Sequence, residues 1–152
     1  MVNPIPDGYP RLTPYLIVDG AAGAIEFYSS VLGARERMRM DGPEGKVGHA
    51  ELELGDSLIM LADEHAEMNA LGPRAVGGSP VSLHVYVEDA DAVFQRALDA
   101  GAKEVRPLED KFYGDRLGSF EDPFGHQWHV SSHVEDVPAD EMERRAAAAA
   151  AS

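Results

Sequence analysis

The 152-residue chain contains no cysteine. Disulfides, thiolate nucleophiles and cysteine-built zinc or iron-sulfur sites are therefore excluded. No apolar run approaches the roughly 18 residues that a membrane-spanning helix needs, because the 44% hydrophobic content is broken into short bursts. Basic residues are scarce: 13 Lys and Arg stand against 27 Asp and Glu, for a formal net charge of -14. Nucleic acids and anionic membranes draw affinity from Lys and Arg, so neither is expected as a partner. The first residues, Met1-Val2-Asn3-Pro4-Ile5-Pro6-Asp7, lack the basic cluster and apolar centre of a secretory signal, and a cytoplasmic location is the expectation. At this length the chain is expected to bury roughly 70% of its unfolded surface, enough for a core.

Against these absences stands an internal repeat. Tyr15-Leu16-Ile17-Val18-Asp19, then Ala24-Ile25-Glu26-Phe27-Tyr28 and Val31-Leu32-Gly33-Ala34, is matched by His84-Val85-Tyr86-Val87-Glu88, Ala92-Val93-Phe94-Gln95-Arg96 and Leu98-Asp99-Ala100-Gly101-Ala102. Each copy reads as a short apolar strand, an acidic helix start, an amphipathic helix and a Gly-Ala stop. A period of about seventy residues is too long for a solenoid and indicates a duplicated module. A functional cavity shared by the two copies is the expectation.

Residues 1–11 carry three prolines and form an N-terminal arm. The first module spans 12–63. Its strand runs over Thr13 to Val18, its helix starts at Asp19 or Gly20 and stops at Gly33, and strands follow at Arg35 to Met40, His49 to Leu54 and Ser57 to Ala62. Residues 64–80, rich in Gly, Pro, Ala and acid, form the linker. The second module spans 81–133, with strands at Val81 to Val87, Lys103 to Leu108, Leu117 to Glu121 and Gln127 to Ser132. Its helix is capped by Asp89 or Asp91 and ended by Gly101. Phe112-Tyr113-Gly114-Asp115-Arg116 interrupts the hairpin, where a local Asp115–Arg116 ion pair is expected. Residues 134–152 form a C-terminal tail, helical by its alanines but frayed, having nothing to pack against.

The fragments Ile25-Glu26-Phe27-Tyr28, Leu32-Gly33 and Asp122-Pro123-Phe124-Gly125-His126 resemble the vicinal-oxygen-chelate superfamily, which includes glyoxalase I, extradiol dioxygenases and bleomycin-resistance proteins. Phe112-Tyr113-Gly114-Asp115-Arg116 together with Asp122 to Trp128 is similar to its PhnB-like branch. The resemblance covers residues 10–133. It implies an α+β fold of two tandem βαβββ modules whose mixed sheets curl into a cup, paired or swapped in a homodimer.

In the metalloenzymes of that superfamily four strand positions hold one divalent ion. They map here to Thr13, Met60, Ser82 and His129. Thioether and hydroxyl groups suit such a metal poorly, so the standard site is not expected and no cofactor is called for. The resemblance thus implies binding of an aromatic or amphipathic small molecule. Tyr15, Met60, Ser82, His84, Tyr86, Phe112, Tyr113, Trp128 and His129 are the candidate ligand contacts, chosen from strand faces and from aromatic groups near the implied cup. Ordinary core packing is the competing reading for Tyr15, Phe124 and Trp128. The alternative function is a metal-dependent lyase, isomerase or dioxygenase with a rearranged site. His129, His84, His49 and Glu51 would then hold the metal, with His129 or Glu51 as the catalytic proton carrier. His126 is expected to pin the last turn, and His65 and His133 to be solvated.

Overall fold

The computed structural model describes residues 2–151. The chain divides into two compact units, Met1–Ser79 and Pro80–Ser152. In the first, β1 (Tyr15–Val18) leads into α1 (Ala21–Leu32), followed by β2 (Arg35–Asp41), β3 (Val47–Leu54) and β4 (Ser57–Asp63). The short α2 (Pro73–Val76) lies in the segment between repeats. The second unit repeats the order with β5 (Ser82–Tyr86), α3 (Ala90–Asp99), β6 (Lys103–Asp110), β7 (Asp115–Glu121) and β8 (Gln127–His133), and ends in α4 (Ala139–Ala151). Each unit is one four-stranded sheet, ordered β1-β4-β3-β2 or β5-β8-β7-β6. The first strand runs parallel to the fourth and the other pairings are antiparallel. The expected pair of βαβββ modules is therefore the observed fold.

Alternation along the strands assigns the two faces of each sheet. In the first unit Leu16, Val18, Ala50, Leu52, Ile59 and Leu61 are buried, as are Ala24, Ile25, Tyr28, Val31 and Leu32 of α1. The helix has no side-chain cap at Gly20; the Asp63 carboxylate accepts the N–H groups of Gly20 and Ala21 through Oδ1, and that of Val47 through Oδ2, each at 2.8 Å. One carboxylate thus satisfies helix-terminal donors and ties them to β3 and β4.

In the second unit Val85, Phe120, Trp128 and Val130 form the core with Val93, Phe94 and Ala97 of α3. Phe94 packs edge-on to Phe120, which stacks on Trp128. Each such buried side chain contributes on the order of 1.5–3 kcal/mol. Gly118 leaves room for the Phe94 ring, which a Cβ there would strike at 2.8 Å. Asp89 caps α3 by accepting the Ala92 N–H at 3.1 Å. Trp128 therefore belongs to the core on the helix side of its sheet, and is not exposed for ligand contact as its candidacy requires.

Among the polar groups of the second unit, two expectations from the sequence are not met, the Asp115–Arg116 ion pair and a solvated His133. The last turn is pinned between Asp122 and His126: Asp122 Oδ1 accepts the N–H groups of Phe124 and His126, Oδ2 accepts Trp128 Nε1–H, all at 2.9 Å, and the His126 carbonyl accepts the Asp122 N–H at 2.8 Å. Asp115 and Arg116 do not pair with each other. Successive strand residues point to opposite faces, so Arg116 engages Asp91 and Asp110 while Asp115 meets Tyr86 and His133. His133 is not merely solvated, because both its ring nitrogens face carboxylates, Asp115 at 2.9 Å and Asp136 at 2.7 Å.

The tail is a helix with specific contacts: Arg145 of α4 binds both carboxylate oxygens of Glu135 and donates to the Phe112 carbonyl. The loop before β7 is tied to this region by the Gly114 carbonyl, which accepts the N–H groups of Val134 and Glu135.

Candidate functional site

With one face of each sheet committed to the core, chemistry gathers on the other. In the second unit the parallel register places His84 opposite His129, and β7 places Ser119 beside His129 in the same row. Ser82 and Tyr86 flank His84 on its own strand face. His129 is hydrogen-bonded through Nδ1 to Ser119 Oγ at 2.6 Å and through Nε2 to Ser82 Oγ at 3.1 Å. His84 Nε2 meets Ser131 Oγ at 2.9 Å. The His84 ring lies 5.0 Å from that of Tyr86 and 5.9 Å from that of His129. Tyr86 is 61% exposed, although its hydroxyl is anchored by donation to Asp115 Oδ2 at 2.7 Å.

The electrostatics of this row follow from burial and neighbours. Burial, together with the charges of His84 and Arg106, holds the His129 imidazole below its usual range, favouring the neutral ring. Burial opposes ionisation of Asp115, but hydrogen bonds from His133 and Tyr86 and the charges of His133 and His84 outweigh it and keep the carboxyl below its usual range. The result is a surface of hydroxyl groups and the neutral-favouring His129 imidazole beside His84 and the exposed Tyr86 ring. It can exchange hydrogen bonds with a ligand while offering a flat apolar contact.

In the first unit Tyr15, Met60, Glu51 and Met38 form the corresponding row across β1, β4, β3 and β2. His49 sits one pleat along β3 from Glu51, opposite Met40. Its Nδ1 lies 2.9 Å from the Tyr15 hydroxyl and its Nε2 lies 2.9 Å from Glu51 Oε2. Glu51 is 3% exposed, and its other oxygen accepts the Tyr9 hydroxyl at 2.8 Å. Burial raises the cost of ionising Glu51, but hydrogen bonds from His49 and Tyr9, with the charges of His49 and Arg37, prevail and hold its carboxyl below the usual range. Tyr9, in the N-terminal arm, was missed as a site residue because nothing in its local sequence points to a buried carboxylate on β3.

Of the candidate contacts, Ser82, His84, Tyr86 and His129 are brought together in the second unit, and Tyr15 and Met60 share a row in the first. Phe112 and Tyr113 pack edge-to-face at 5.2 Å in the loop that Arg145 grips. Within the second unit His84 lies beside His129, and within the first His49 lies beside Glu51. Thr13, Met60, Ser82 and His129 supply one imidazole, one thioether and two hydroxyls, and both nitrogens of that imidazole are engaged by serines. This donor set does not fit a borderline or hard divalent metal. Among the described residues no three His, Asp or Glu side chains are grouped to hold one.

Two tandem βαβββ modules, each with a polar sheet face opposite its helix, define the class of protein. Residues 10–130 match the model of the Glyoxalase/Bleomycin resistance protein/Dioxygenase superfamily, and the chain belongs to that family. It is 45% identical over 137 residues to an uncharacterized protein of Mycobacterium bovis, covering 88% of this chain and 90% of that one. Among solved structures it resembles a Pseudomonas aeruginosa protein with a TM-score of 0.69 and 26% identity, over 83% of this chain and 99% of the other. A PhnB protein from Bacillus cereus, described as a putative 3-demethylubiquinone-9 3-methyltransferase, shares the fold with a TM-score of 0.65 and 22% identity, over 81% and 99% of the respective chains.

Proposed function

We propose that this protein binds an aromatic or amphipathic small molecule on the open face of its second module, without the divalent metal of the family's metalloenzymes. The observation that carries the reading is the exposed Tyr86 ring packed beside His84, adjoining the Ser82–His129–Ser119 hydrogen-bonded row. A planar ligand gains stacking on Tyr86 and His84, and its polar groups replace or extend the serine–imidazole bonds. The donor chemistry of Thr13, Met60, Ser82 and His129 supports metal independence. We place the chain in the PhnB-like branch, on Phe112 to Arg116 and Asp122 to Trp128, and read it as a cytoplasmic homodimer. Each four-stranded sheet ends in two edge strands, which a second copy can cover.

Titration with planar aromatic compounds in chelator-containing buffer, followed by calorimetry and thermal shift, tests this reading. Saturable binding that weakens about tenfold in Tyr86→Ala, the order of one aromatic contact, is expected. Binding that requires added metal, or that ignores both Tyr86→Ala and His84→Ala, contradicts it.

A further inference from the structure

The first module carries a second constellation that ligand binding at Tyr86 and His84 does not use. Tyr15, His49 and Glu51 form one chain of hydrogen bonds from an exposed phenol to a buried carboxylate, with links of 2.9 Å and 2.9 Å. Tyr9 closes the far end on Glu51 Oε1, and Arg37 lies over the Tyr9 ring at 4.4 Å while donating to the Gly8 carbonyl. The network dictates the direction of each bond. An ionised Glu51 can only accept, so in the neutral ring the His49 proton is assigned to Nε2, leaving Nδ1 to accept the Tyr15 hydroxyl. The Tyr15 oxygen then turns its lone pairs outward, on a residue 47% exposed.

We propose that Tyr15, His49 and Glu51 are a proton-transfer site for a ligand bearing an acidic hydroxyl on an sp² carbon, a phenol or enol. In the transfer the ligand O–H bond breaks as a new O–H bond forms on Tyr15. The original Tyr15 O–H bond breaks as an N–H bond forms on His49 Nδ1. The ligand is left as an anion hydrogen-bonded to Tyr15, and His49 becomes an imidazolium held against the Glu51 carboxylate. The reverse sequence returns the proton to the product, so the step needs no oxidant or co-reactant. Tyr15 touches the ligand and is the catalytic residue; Glu51 acts through His49 and is a positioning residue. Met38 and Met60 flank Glu51 in register and Met40 flanks His49, and thioether side chains give an adaptable apolar wall for the ligand's body.

The test uses the full chain and two variants, Tyr15→Phe, which alters only an exposed hydroxyl, and Glu51→Gln. Nitrogen-15 spectra of the histidine side chains across pH are expected to show His49 protonated on Nε2. With 4-nitrophenol as probe, below that compound's own pKa, the native protein is expected to produce phenolate absorbance together with His49 imidazolium, and Tyr15→Phe neither. A His49 proton on Nδ1, phenolate undiminished in Glu51→Gln, or phenolate no greater than in Tyr15→Phe overturns the proposal. Tyr86→Ala leaves these readouts unchanged, so failure here is distinct from failure of the ligand-binding reading.

Discussion

Tyr15 and His84 occupy the same place in the two repeats: each sits in the first strand opposite a fourth-strand residue, Met60 for Tyr15 and His129 for His84. The third-strand neighbours complete the correspondence, Glu51 beside Met60 and Ser119 beside His129. One backbone plan thus carries two chemistries. The first module places a carboxylate and a phenol among thioethers, and the second places imidazoles among hydroxyls.

Asp122 is a buried carboxylate whose two oxygens serve three donors in the second module. Asp122→Ala leaves three donors, Phe124 N–H, His126 N–H and Trp128 Nε1–H, without their acceptor. A loss of about 2–4 kcal/mol is expected from stranded buried donors. Urea unfolding monitored by Trp128 fluorescence measures it, and a loss within experimental error refutes the assignment.

Gly114 and Gly33 separate steric demand from conformational preference. Both have positive φ, 99° and 75°, but a Cβ at Gly33 meets nothing within 4 Å whereas one at Gly114 falls on the Glu135 carbonyl oxygen. Gly33→Ala is expected to cost about 1 kcal/mol. Gly114→Ala should cost more and should loosen the tail, seen as faster amide exchange at Val134 and Glu135.

Stability should depend on pH through His133. Its hydrogen bonds to Asp115 and then Asp136 raise the imidazole above its usual range. A raised folded value means a contribution fully present below the ordinary histidine pKa of about 6.5 and lost as pH rises through the folded value. Asp115, held below its usual range, adds the opposite limb, with a contribution lost as pH falls through its folded value. His133→Gln is expected to flatten the decline above neutrality in a series of denaturant midpoints. An unchanged alkaline slope contradicts the pairing.

Strand alternation and the Gly-Ala helix stops made both βαβββ modules legible, because period-2 burial and helix caps are local features. His84, Ser82 and Tyr86 could be grouped for the same reason. Asp122 was not legible as a core residue, since its role depends on the Trp128 indole six residues away, whereas core packing was one of the two readings open for Trp128. Tyr9 was unreadable because its partner Glu51 lies 42 positions on. His133 looked solvated because long-range pairing with Asp115 leaves no periodic trace. Arg145 likewise gave no sign that it would bind Glu135 and the Phe112 carbonyl.

Metal-independent ligand binding is most directly tested on tag-free protein by determining bound metal and then measuring ligand-induced thermal shift with chelator and with nickel, zinc, manganese or iron(II). The predicted result is a ligand-dependent rise in Tm that is equal in chelator and in each metal, with no stoichiometric metal retained. One retained equivalent, with a ligand-induced shift that chelator abolishes and that metal restores, would contradict the account.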